Sequence, residues 1–136
     1  MSILPHPAAS GEALRDAALR ILRKHRAALV RRIQRAYVRH LLDNGPDTSD
    51  AVRALVPIPA GIDPRVVGAA VRALSADDGL IYSTGRRRSL RPLAHARNLD
   101  LWAVRDRAAA ERWLADHPEP TEPATAADEP ADLYAI

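Results

Sequence analysis

The chain of 136 residues has no cysteine and no phenylalanine, one methionine and two tryptophans. Without cysteine, disulfides and thiolate metal sites are excluded. With so few large apolar side chains, a core has to be built mainly from Ala, Leu, Val and Ile. Lysine is nearly missing too: of the 20 basic residues only Lys24 is lysine. Arginine presents a planar fork of donors that suits phosphate and guanine edges. A coding sequence rich in G and C accounts for most of that ratio, but not for where the arginines cluster. No apolar run approaches the roughly 20 residues that span a bilayer. The start, Met-Ser-Ile-Leu-Pro-His-Pro, has neither the basic residues nor the apolar run of a signal peptide. A cytoplasmic protein without a membrane segment is expected.

Signs of catalysis are also missing. There is no Gly-rich phosphate loop. The five histidines are scattered, and none shares metal-ligand spacing with a carboxylate. Asp77-Asp78 is an adjacent acidic pair, but it is expected in a turn, where Asp is common for turn reasons. A nuclease would need several convergent carboxylates. The expectation is a protein that is not an enzyme and needs no cofactor or metal.

Charge is unevenly placed. The formal net charge is +3, yet five acids and no base follow Pro118. Residues 1–117 therefore hold all 20 bases against twelve acids, a formal charge of +8. A basic body with an acidic end points toward a polyanionic partner. Three segments are expected: a flexible N-terminus over 1–10, a folded domain over 11–117, and a disordered acidic tail over 118–136. The tail is rich in Pro, Glu, Thr, Ala and Asp, which bury too little apolar surface to order themselves.

Within the folded domain, Ser10 reads as an N-cap. Apolar residues from Leu14 to Leu41 then recur at three- and four-residue steps, giving one long helix or two joined near His25. Its polar face carries Arg20, Arg23, Lys24, Arg26, Arg31, Arg32, Arg35 and Arg39. Asn44-Gly45-Pro46 ends it. Thr48 and Ser49 can each cap a short second helix, Asp50 to Val56. Asp63-Pro64 is a helix start, with Asp as N-cap and Pro in the first turn. The third helix runs from Pro64 to about Ala76 with Val67, Ala70, Val71 and Leu74 inward and Arg65, Ala69 and Arg72 outward. Leu80–Thr84 and Leu99–Val104 have strand composition. Between them, Gly85–Asn98 is a basic connection with Arg86, Arg87, Arg88, Arg91, His95 and Arg97. Arg105–His117 is a last short helix with Ala108, Ala109, Trp113 and Leu114 on one side.

This order describes a mainly α protein with a small β-hairpin: a winged helix-turn-helix with an extra long N-terminal helix and a short C-terminal helix. In helix-turn-helix docking the second helix of the pair enters the major groove. The recognition helix would be 64–76, and the arginine-rich wing would span 80–104 over adjacent phosphates. Several stretches carry a resemblance: Pro64–Ala70, Asp78-Gly79-Leu80-Ile81, Thr84–Ser89, Arg91-Pro92, His95, Arg97 and Leu101-Trp102, with Thr48–Val52 upstream. Together they resemble small winged-helix proteins encoded by actinobacterial and other bacteriophages and prophages, often among replication and recombination genes. The resemblance covers roughly residues 27–104 and implies the same fold.

The expected function is non-enzymatic binding of double-stranded DNA, as a transcriptional regulator or a replication accessory factor. The candidate contacts are Arg65, Arg72, Arg86, Arg87, Arg88, Arg91, His95 and Arg97. Two alternatives stay open: a protein-interaction module on the same scaffold, and RNA binding. The apolar stripe of the first helix is a candidate homodimer surface. The tail, ending Asp132-Leu133-Tyr134-Ala135-Ile136, is a candidate docking segment for a protein partner.

Overall fold

The computed structural model describes residues 7–76, 79–89 and 97–121. Six elements follow in order: α1 (Pro7–Asn44), α2 (Asp50–Leu55), α3 (Val66–Leu74), β1 (Ile81–Arg88), β2 (Asn98–Val104) and α4 (Arg107–Asp116). The fold is mainly helical with one antiparallel two-stranded hairpin. The chain divides into two compact units, with boundaries after Leu29 and after Pro120. No described helix is long and apolar enough to cross a membrane.

No proline interrupts the chain between Pro7 and Pro46, and α1 runs as one helix of 38 residues. It does not divide near His25. Pro7 opens it, in the first turn, where a missing N–H costs nothing. Pro7–Ser10, expected in a flexible lead-in, are therefore helical, and Ser10 lies inside the helix instead of capping it. The C-terminus follows the expected chemistry. Gly45 adopts φ 85° and its N–H bonds to Leu41 O at 2.9 Å, the left-handed cap that glycine accepts without a Cβ penalty.

In the Val30–Pro120 unit, Ile33, Tyr37, Val38 and Leu41 of α1 are buried, as are Val52 of α2 and Ile81 of β1. The inward stripe of α3 holds Val66, Val67, Ala70, Val71 and Leu74, one residue more than its periodicity suggests. A buried amide links two helices. Gln34 Nε2 donates to Ala70 O at 3.1 Å, joining α1 to α3. In α4 the buried side is Ala110 and Leu114; Ala108, expected inward, is exposed. Asp106 caps α4 by accepting from Ala108 N at 3.0 Å. By contrast Ser49, at the N-cap position of α2, makes no side-chain capping bond.

Asp47, between α1 and α2, joins the hairpin. Its N–H donates to Trp102 O at 3.0 Å and its carbonyl accepts from Trp102 N at 2.9 Å, an isolated antiparallel bridge to β2. The same carbonyl accepts from the Tyr37 hydroxyl at 2.8 Å. The Asp47 carboxylate meets His40 Nε2 at 2.8 Å and Thr48 N at 2.7 Å. One residue thus ties α1, α2 and the hairpin together.

Burial of Tyr37, reinforced by the Asp47 charge, pushes its phenol well above the ordinary tyrosine range. The folded state therefore keeps this proton where the unfolded state gives it up. Its stabilising contribution is complete below a pH of about 10 and is lost as pH rises beyond that. Tyr37→Phe removes the hydrogen bond and lowers Tm at neutral pH. The gap in Tm between the native protein and Tyr37→Phe is expected to shrink as pH rises past about 10, measured by thermal melts across an alkaline series.

β1 and β2 pair from Ile81↔Val104 to Arg88↔Asn98. The register shifts between Ser83 and Arg86, so Thr84 and Gly85 oppose Leu101 alone. This is a β-bulge. Gly85 adopts φ 155°, a conformation that glycine tolerates. Thr84 Oγ1 donates to Leu101 O at 2.9 Å and holds the bulge. Gly85–Arg88 and Asn98, expected in the connecting loop, are strand residues instead. Glycine there bends the strand rather than ending it.

Beyond α4, the expected disordered tail is described only to Thr121. His117–Pro120 belong to the compact unit, and Glu119 is held by Arg32 and Arg35. The segment Asp132–Ile136 lies outside the described residues.

Candidate nucleic-acid interface

The site is built from the outward face of α3 and the hairpin beside it. On α3, five inward apolar residues leave Gly68, Ala69, Arg72 and Ala73 outside. Arg65 precedes the helix by one turn position. The expected cap is displaced: Asp63 and Pro64 precede the helix, whose N-cap position is Arg65 with no side-chain capping bond, although Asp63 Oδ1 accepts from Arg65 N at 2.9 Å. The helix proper spans Val66–Leu74, shorter than the expected 64–76.

Small residues between two arginines let a flat or grooved surface approach the α3 backbone closely. Arg65 carries a constraint: Asp63 Oδ2 accepts from its Nε at 3.0 Å and its Nη2 at 2.8 Å. The Asp63 carboxylate raises the guanidinium's pKa further above its ordinary value. The Arg65 side chain is nevertheless 91% exposed, and such pairs contribute little in water. Arg72 makes no ion pair with any described residue.

Alternation along β1 sorts the arginines. Arg86 opposes Asp100 and Arg88 opposes Asn98, on one face; Arg87 opposes Leu99 on the other. Arg86 Nε lies 3.9 Å from Asp100 Oδ1, and Arg87 Nη1 lies 3.4 Å from Asp47 Oδ1. Arg88 and Arg97 make no ion pair with a described residue. The loop end of the hairpin, beyond Arg88↔Asn98, is pinned to α2: Ser89 Oγ donates to Asp50 Oδ2 at 2.6 Å, and Ser89 N donates to Arg97 O at 2.8 Å.

Between α2, α3 and the hairpin lies a cleft of about 540 Å³. Arg65 and Arg72 from the helix side and Arg86 and Arg97 from the hairpin side all line it. Four of the eight expected contacts thus meet at one opening. Arg53 of α2 joins them, while Asp50 and Asp100 are the acids of its wall. Trp102, half-buried, also lines it. Of the three consecutive arginines only Arg86 lines the cleft; Arg87 and Arg88 do not. Arg91 and His95 lie outside the described residues, as do Asp77 and Asp78. Among the described residues no group of His, Asp or Glu has the makings of a metal site.

Arg53 and Trp102 escape sequence reasoning. Arg53 sits on a helix of six residues whose periodicity is too short to assign a face, and it joins the cleft only through tertiary packing. Trp102 reads as core because tryptophan usually is.

The basic face of α1 over residues 31–39 is largely committed elsewhere. The Arg31 guanidinium lies 5.3 Å from the Trp113 ring centroid, a cation–π distance. Arg35 Nη1 donates to Leu114 O at 2.7 Å and also to His117 O, satisfying carbonyls at the end of α4. These arginines fasten α4 to α1 and do not form a free phosphate-binding row. Comparison with family models, with curated proteins and with solved structures returns no match.

Proposed function

We propose that this protein is a non-enzymatic, double-stranded-DNA-binding winged helix. In this reading α3 enters the major groove and the β1–β2 wing lies along the adjacent backbone. The observation that carries it is the convergence of Arg65, Arg72, Arg86 and Arg97 on one cleft between helix and hairpin. The bridge from Asp47 to Trp102 and the Ser89–Asp50 bond support it, because they hold the wing rigidly against the helix pair. The small outward residues of α3 favour close backbone approach. Limited base reading is expected, since α3 offers arginine but no Asn or Gln for adenine. A transcriptional regulator or a replication accessory factor of the phage and prophage type, acting in the cytoplasm, fits this chemistry.

The test is fluorescence anisotropy of a labelled duplex across a salt series. About four to six phosphate contacts give a log–log slope of roughly −4 to −5. A flat salt response, or equal affinity for a single-stranded RNA of the same length, would reject duplex docking.

A second reading, an assembly module, is favoured by one observation. Leu14, Leu19 and Leu22 of α1 are exposed, Leu14 at 72%. Large exposed apolar side chains on one helix mark an interaction surface, and a homodimer is the occupant proposed. Leu14→Glu/Leu22→Glu is expected to convert a dimer into a monomer by light scattering without lowering helix content. A native protein that is monomeric at high micromolar concentration would remove this reading.

A further inference from the structure

A second recess in the Val30–Pro120 unit, of about 420 Å³, has walls of opposite character. Arg32, Arg35 and Arg39 of α1 line it on the basic side; Leu55, Val56 and Pro57, at the end of α2, supply its apolar side. Leu55 is 52% exposed, a large apolar side chain that the fold itself does not cover.

The recess already grips a piece of peptide. Glu119 Oε1 lies 3.5 Å from Arg32 Nε, and Glu119 Oε2 accepts from Arg35 Nε at 3.3 Å. Arg32 Nη2 donates to the carbonyl of the next residue, Pro120, at 3.3 Å. Two guanidiniums thus read a side-chain carboxylate and the main-chain carbonyl beside it. Both arginine side chains are about four-fifths buried, at 23% and 20% exposure, whereas Glu119 is 61% exposed. The receptor is fixed, since Arg35 is also anchored on the α4 carbonyls. The occupant is held by the Arg32–Pro120 hydrogen bond and by ion pairs to an exposed carboxylate, which are weak and exchangeable. Arg39, lining the same recess, makes no ion pair with a described residue. Among the described residues that line the recess, three cations face one carboxylate.

We propose that this recess is a docking site for an acidic peptide segment of a partner protein, with Glu119-Pro120 as its displaceable internal occupant. The ligand carries two carboxylates, one for Arg32 and Arg35 and one for Arg39. An apolar side chain between them lies on Leu55, Val56 and Pro57. Charge complementarity selects an acidic ligand, and the peptide-like grip on Glu119-Pro120 selects a polypeptide. A duplex backbone fits poorly, because Arg32 and Arg35 are recessed behind an apolar rim. The site does not depend on duplex binding at the α3–hairpin cleft.

The probe is a fluorescein-labelled peptide, Leu-Glu-Pro-Leu-Glu-Glu, titrated with the full chain and followed by anisotropy. Saturable binding is expected, lost when the glutamates of the peptide are replaced by glutamine. Glu119→Gln should tighten it about two- to fivefold, the range for losing a competing exposed ion pair. Arg39→Gln, at an exposed position, should weaken it several-fold while leaving the circular dichroism melt unchanged. No saturable binding, or binding indifferent to both Glu119→Gln and Arg39→Gln, overturns the proposal. Stoichiometric displacement of the peptide by a duplex that Arg39→Gln also weakens would overturn it in favour of a phosphate site. Loss of duplex binding alone, with peptide binding intact, would reject the DNA reading and leave this site standing.

Discussion

Replacing Arg86, Arg87 and Arg88 together with alanine is expected to lower duplex affinity by on the order of 10- to 100-fold at low salt. The salt slope should flatten by roughly two units, not three, because each phosphate contact contributes about 0.9 and the three arginines do not share a face. Arg86 and Arg88 lie with Asp100 and Asn98 on one face of the hairpin, and Arg87 lies with Leu99 on the other; the Arg86–Arg88 face is taken as the one that meets the backbone. Single variants should therefore divide. Arg86→Ala and Arg88→Ala each remove about one unit of slope, and Arg87→Ala removes little. The pairs these arginines make in the free protein, at 3.9 Å to Asp100 and 3.4 Å to Asp47, are exposed and exchange readily for phosphate. All three side chains are exposed, so melts should shift by only a few degrees. Equal effects of the three single variants would mean that the Arg86–Arg88 face is not the one that meets the duplex.

The largest loss of stability is expected at Gly79, between α3 and β1. A Cβ there would overlap the carbonyl oxygen of Leu74 and lie 2.8 Å from that of Ala76. Both are backbone atoms at the end of α3, fixed by the buried Val71 and Leu74. Neither can rotate away as a side-chain tip would. Nearby, Arg105 closes the same turn: its N–H donates to Leu80 O at 2.8 Å and its Nε to Gly79 O at 3.2 Å. Gly79→Ala is expected to cost about 3 kcal/mol, the upper end for overpacking. For a domain of this size Tm should fall by more than about 10 °C. Gly68→Ala is the matched control. Its Cβ meets nothing within 4 Å, and it sits in the interior of α3, so about 0.5–1 kcal/mol of stabilisation is expected. Thermal melts of both variants check the pair; equal melts would show that the α3–β1 turn is not tightly held.

What was legible in the chain depended on local chemistry. Asn44-Gly45-Pro46 marks the end of α1, and Asp63-Pro64 marks the start of α3, because caps are set by residues next to one another. The stripe of Val67, Ala70, Val71 and Leu74 was readable because α3 is buried on one side only. The hairpin was visible as strand composition, but its length was not. Gly85 reads equally well as a strand end and as a bulge, and only pairing with Leu101 distinguishes them. Long-range links left no local trace. The Asp47–Trp102 bridge, the Gln34–Ala70 bond and the grip of Arg32 and Arg35 on Glu119 each join residues far apart in sequence. The same arginines that read as a free basic face of α1 thus fasten α4 and a carboxylate. Of the expected contacts, Arg65, Arg72, Arg86 and Arg97 converge, because helix packing brings α3 beside the hairpin.

The most direct test of the duplex-docking account is a ¹⁵N chemical-shift map of the uniformly labelled protein titrated with a short duplex. The account predicts perturbations concentrated on Arg65–Arg72 and on Arg86, Arg88, Arg97 and Asn98, with the Trp102 indole among them. Perturbations confined to Arg32, Arg35, Arg39 and Leu55, or to α1 before Leu29, would contradict it and assign the cleft between α3 and the hairpin another role.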